Sequence, residues 1–247
     1  MPAIWNITSS TVTTSELIFT GGGRERPLKI VRRPRARSMR LTIDPRDASV
    51  LLSLPSRAAL RPALAWAAGK RDWIEEELSR LPCPQPISPG MSFSLGGESV
   101  QLFWTPATSR TFHRSAGLLK TGGPEESLAP RLLRYLRREA LVVLEQETRE
   151  LATRHGIAIR KVAVGDPKSR WGSCASSGDI RYSWRLILAP AEVRRATVAH
   201  EVAHRVHMNH GSAFHALVAE MHGADPKPAR HWLRSHGAAL HWFGRDG

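Results

Sequence analysis

Residues 200–210 read HEVAHRVHMNH, four histidines and one glutamate within eleven positions. Neutral imidazole is a good zinc ligand when a rigid element presents it. On an α-helix, residues four apart lie on one face, a turn apart, so His200 and His204 can converge on a single ion. Glu201 stands one residue on, about 100° round the helix. Its carboxylate then lies beside the ion without pointing at it, which suits a general base acting on a water rather than a ligand. HExxH can also arise as an ordinary polar helix face. Here Val198, Val202 and Val206 form a separate apolar stripe, so the helix has one packing face and one chemical face.

Four downstream residues compete for a third ligand position. His207 lies seven residues after His200, about 10.5 Å of helix rise. That separation is too great for bonds of about 2.1 Å to one ion. His210 lies past the expected helix end, where Asn209 and Gly211 permit a reversal that brings it back. Glu220 follows His204 by sixteen residues, like the downstream glutamate of His/His/Glu sites, and His215 belongs to the next helix. The order of preference is His210, Glu220, His215. His207 is left to the periphery or the surface. The ligand spacing of His200, His204 and His210 is that of HExxHxxGxxH, but His207 fills the glycine position, so spacing alone does not decide the class.

These residues need elements to hold them. Pro190 at a helix start, with Glu192 in the first turn, predicts a helix running into HEVAH. Before it, strands are expected over 159–164, 169–174 and 180–188, with a turn at 175–178. Leu132, Leu136, Ala140, Leu144 and Leu151 predict a long amphipathic helix from Arg131 to about His155, ended by Gly156. Further upstream, SFSLGG and SVQLFWT read as short strands and 105–130 as loop. Ser56 is expected to cap one helix through residues 57–81, with Ala65, Ala68, Trp73 and Leu78 on its inner side. LKIVRR, MRLTIDP and SVLLSLP read as strands, the last two forming a hairpin around DPRDA. The expected organisation is a flexible lead-in over 1–27, a β-rich segment with one helix over 28–105, a linker over 106–130 and a C-terminal core over 131–247. The fold class is α+β.

Linked motifs sharpen this reading. KSRWGSC (168–174), WRLILAP (184–190), HEVAH and NHGSAF (209–214) resemble the YgjP-like metallopeptidase family, in the same order. RRPRARSMRLTIDP, RDWIEEEL and the Pro–Gly break before SFSLGG extend the likeness to about residues 28–240. HGSAF also echoes the H-G-P-E-F of related SprT-like proteases. The resemblance implies a zincin core, a small antiparallel sheet flanked by helices. It implies Zn²⁺ on His200, His204 and His210, with Glu201 as general base and a peptide or protein as substrate. YSW (182–184) and Gly211 depart from the usual family residues without removing a ligand. Alternatives of other classes are a DNA-associated protease, a nucleotide hydrolase and a non-proteolytic zinc protein.

Composition limits the rest. The chain has 247 residues, two distant cysteines and a formal charge of +14. Residues 1–82 carry fourteen basic and eight acidic side chains, and residues 131–247 nineteen and eleven. That balance permits contact with nucleic acid, yet no basic run with interleaved aromatics is present, and a solvated basic surface is the simpler reading. No window is long and apolar enough to cross a membrane, and no secretory leader is evident. A soluble, cytoplasmic protein is expected. Cys174 reads as a small packing residue, Trp171 and Trp184 as core anchors, and His222, His231, His236 and His241 as surface or packing residues. Lys168 and Arg170 share one face of their expected strand, where they meet either a substrate anion or solvent.

Overall fold

The computed structural model describes residues 5–7, 17–21 and 24–245. The chain divides into two compact units, Met1–Cys83 and Pro84–Gly247. In the first, β1 (Trp5–Ile7), β2 (Leu17–Gly21), β3 (Arg24–Arg33), β4 (Arg40–Ile43) and β5 (Val50–Pro55) form a sheet of order β1-β2-β3-β5-β4. The β4–β5 hairpin pairs Ile43 with Val50, as DPRDA predicts. Two helices complete the unit, α1 (Leu60–Ala68) and α2 (Arg71–Ser79).

The single helix expected over 57–81 is thus two. Its first residue follows Ala59, not Ser56, and the break at 69–70 resets the helical phase. Ala63, Leu64, Ala67 and Ile74 form the buried face; Ala68 and Leu78 are half-buried, and Ala65 and Trp73 are exposed. Of the expected lead-in, residues 1–4, 8–16 and 22–23 lie outside the described residues, while β2 pairs with β3.

The second unit opens with β6 (Ser92–Leu95), β7 (Glu98–Thr105), β8 (His113–Ser115) and β9 (Leu118–Gly122), in the order β6-β7-β9-β8. Two strands therefore occupy the stretch read as loop. They escape local pattern reading because β9 is stabilised by parallel pairing with the distant β7. Residues 84–130 group with the C-terminal unit, so the boundary falls at Cys83 and not across 106–130. Gly97, at φ +101°, closes the β6–β7 hairpin, and a side chain there would meet Ala191 at 3.1 Å.

The long helix α3 (Leu128–Arg154) buries Leu132, Leu136, Ala140, Leu144 and Leu151, as their periodicity predicts. Next come β10 (Lys161–Gly165), β11 (Gly172–Cys174) and β12 (Asp179–Ser183), ordered β10-β12-β11. β10 and β12 are parallel and β11 is antiparallel to β12, so this sheet is mixed, not antiparallel. The strand expected to reach Leu188 ends at Ser183. Trp184–Leu188 is a 3-10 turn whose first N–H groups need a partner, and Ser183 accepts from the Arg185 amide.

Three helices close the chain, α4 (Ala191–Ala203), α5 (Ser212–His222) and α6 (Lys227–Leu240). α4 is buried on most sides, and its alanines 196, 199 and 203 let neighbouring elements approach closely. Arg194, on α4, donates to both carboxylate oxygens of Glu147 on α3, at 2.8 and 3.0 Å. Val198 and Val202 are buried, but α4 ends before Val206, which is 53% exposed and leaves the predicted stripe. The whole is a mixed α+β structure. No described helix is long and apolar enough to cross a membrane.

Candidate metal centre

His200 occupies the last turn of α4 and His204 caps it. Tight backbone hydrogen bonds follow, from the amides of Arg205, Val206 and His207 back to Val202 and Ala203, and the chain then returns His210 to the helix end. One ligand nitrogen from each of His200, His204 and His210 lies within 4.8 Å of the others. His200 Nε2 and His210 Nε2 are 3.3 Å apart. A tetrahedral ion with metal–nitrogen bonds of roughly 2.0–2.1 Å holds two nitrogens about 3.3–3.4 Å apart, so this donor set fits zinc in spacing and in chemistry.

Two further contacts orient the rings. His204 Nδ1–H donates to the His207 carbonyl at 3.0 Å, which leaves Nε2 with its lone pair. Phe214, fully buried on α5, lies 4.5 Å from the His204 ring, 4.8 Å from His210 and 4.9 Å from His200, centroid to centroid. Burial and the neighbouring imidazoles of His204 and His210 hold His200 down to about 4. His204 is also lowered, mainly by burial. Both are therefore neutral near pH 7, the form a metal requires.

Glu201 is 5% exposed. Burial pushes its carboxyl up to about 7, against the pull of the Arg170 guanidinium. A divalent cation beside it would draw it down again. Its side chain rests on Gly172 of β11 so closely that any β-carbon there would collide with it. Glycine inside a strand is a recognised mark of such close approach, and it is the signal in KSRWGSC that reading the motif as a family signature passes over.

Glu201 and His200 line one cavity of about 240 Å³. Trp171 forms part of its wall, half-buried, held by the His241 ring at 5.4 Å and by a close fit against Gly237. His215 also faces this cavity. Its ring lies 6.4 Å from that of His210, outside the three-histidine cluster. Glu220 is 70% exposed and lies 3.9 Å from His155, on another side of α5. His207 contributes its carbonyl and lies beyond the helix, so the reason it stands apart is chain direction and not helix rise. Lys168 and Arg170 precede β11 instead of alternating within it, and Arg170 lines the cavity. Burial raises the Cys174 thiol, as fits a packing residue. Among the described residues, no other cluster of three or more histidine, cysteine or carboxylate groups could share an ion.

A family model described as YgjP-like, metallopeptidase domain, matches residues 37–236. No curated protein and no solved structure matches the chain.

Proposed function

The chain belongs to the YgjP-like metallopeptidase family, and from that premise we propose a zinc-dependent peptidase with His200, His204 and His210 as ligands and Glu201 as general base. The family indicates a metal-dependent hydrolase of peptide bonds. The finer reading is supported above all by three converging imidazoles, one of which, His200, lines the same cavity as the buried carboxylate of Glu201. A structural zinc takes four protein ligands, whereas catalytic zinc keeps one position for water or substrate. Three ligands, with Glu220 and His215 displaced, favour catalysis.

Zinc held there supplies Lewis acidity, polarising the scissile carbonyl and lowering the pKa of water toward roughly 7. Glu201 takes the proton from the attacking water and passes it to the leaving amine. Gly172 fixes where that carboxylate stands, and the His207 carbonyl fixes the tautomer of His204. β11 is an edge strand beside the cavity, so an extended peptide can add to it through backbone hydrogen bonds. We read the β10–β12 sheet with α4 as a zincin-type core.

Metal content tests the ligand set. Purified wild type and Glu220→Ala should each hold close to one zinc, and His210→Ala should lose most of it after dialysis. Zinc retained by His210→Ala and lost from Glu220→Ala would reverse the assignment.

A further inference from the structure

The cavity shared by His200 and Glu201 is lined mostly by residues outside the three-histidine cluster, and their chemistry is of two kinds. Val193 and Ala196 of α4, Val218 of α5, and Ala229 and Leu233 of α6 give it an apolar interior. Its volume, about 240 Å³, is that of a side-chain pocket and smaller than a typical cofactor site. Arg170 and Arg230 also line it, and both are exposed residues. Arg170 precedes β11 and Arg230 rises from α6, so the two approach from different elements. Among the described residues neither guanidinium makes a hydrogen bond or close ion pair, although the charge of Arg170 acts on the Glu201 carboxylate beside it. Elsewhere in this unit, arginines such as Arg185 and Arg194 are matched to carboxylates.

Resting on the peptidase reading, we propose that this cavity is a specificity pocket for a peptide bearing a large apolar side chain next to a carboxylate. The side chain fills the space between α4, α5 and α6, and Arg170 and Arg230 receive the carboxylate at the rim. The carboxylate is that of an acidic side chain or of the peptide's own C-terminus. Guanidinium groups suit either one, because their paired N–H donors match the two oxygens.

The test measures binding, so that it stands apart from turnover. Zinc-loaded Glu201→Gln protein is titrated calorimetrically with short blocked peptides that share a leucine. The leucine is followed by an internal glutamate, an internal glutamine, a C-terminal carboxylate or a C-terminal amide. A carboxylate at the rim should tighten binding about fivefold over its neutral counterpart, the scale of one exposed ion pair. Tighter binding of the glutamate peptide identifies a side-chain acid, and of the free-carboxylate peptide a chain terminus. Changing leucine to asparagine should weaken binding by at least about tenfold, through loss of apolar burial. Arg230→Glu, at an exposed position, should erase the carboxylate preference while the leucine preference stays. Equal affinity for all four peptides, or a carboxylate preference that survives both Arg230→Glu and Arg170→Glu, overturns the proposal. Hydrolysis of casein by wild type is measured in parallel. Hydrolysis without the binding preference leaves a peptidase with a different pocket, and the preference without hydrolysis leaves a binding pocket and removes the peptidase reading.

Discussion

A methyl group at position 172 would stand 2.6 Å from Cγ of Glu201. Carbon atoms in contact sit about 3.5–4.0 Å apart, so the glutamate would have to move. A displacement near 1 Å at a catalytic group costs on the order of 100-fold in rate. Gly172→Ala should therefore lower kcat/KM for peptide hydrolysis by about that factor while zinc content stays at the wild-type level. Full activity in a zinc-replete Gly172→Ala protein would show that Glu201 does not need this support. The placing of His200 and His204 together at the end of one helix, with Glu201 beside them, was readable from helical spacing. The contacts that orient them were not. Nothing in the spacing reveals that the His207 carbonyl faces His204 Nδ1, or that one phenylalanine touches three imidazoles.

α4 is held in place by a charged pair as well as apolar packing. Arg194 and Glu147 are 5% and 18% exposed in their side chains, so each is costly to leave alone. Glu147→Ala should destabilise the fold by about 3–5 kcal/mol, because it strands a buried guanidinium. Replacing both residues by apolar ones should restore much of the loss, and denaturant unfolding of the single and double variants measures the difference. Asp166 makes a second charged link, away from α4, with Arg185 of the 3-10 turn. It accepts two hydrogen bonds from Arg185, which also donates to the carbonyls of Leu240, the last residue of α6, and of Phe243 just beyond it. Burial would raise the Asp166 carboxyl, but the hydrogen bonds and charge of Arg185 outweigh this and hold it below 3.8. A depressed acid contributes stability above its unfolded pKa and loses it as pH falls through the folded value. Wild type should thus be more stable than Asp166→Asn at pH 7, with the gap closing as pH drops below 3.8. A gap that is constant with pH would exclude an ionised Asp166 as its source. α3 was legible because its leucines repeat at helical spacing over many turns. α1 and α2 were merged because the break at Gly69 and Lys70 is a local event inside an otherwise helical composition.

Across the whole chain, sequence order carried more than sequence pattern did. The motifs KSRWGSC, WRLILAP and HEVAH follow one another closely, and the structure gathers β11, the 3-10 turn and α4 in the second unit. Parallel pairings were the weak point, because β3 with β5, β7 with β9 and β10 with β12 each join strands that a hairpin signal cannot link. The unit boundary at Cys83 was missed for the same reason, since β8 and β9 gain their stability from β7. The site itself belongs wholly to Pro84–Gly247, so its chemistry depends on that unit's own packing. The central claim, that Glu201 is the proton carrier of a zinc peptidase, is tested most directly by one comparison. Casein hydrolysis is measured for zinc-loaded wild type and zinc-loaded Glu201→Gln. The account predicts a rate at least about 100-fold lower in Glu201→Gln at equal zinc content. A rate equal to wild type would contradict it.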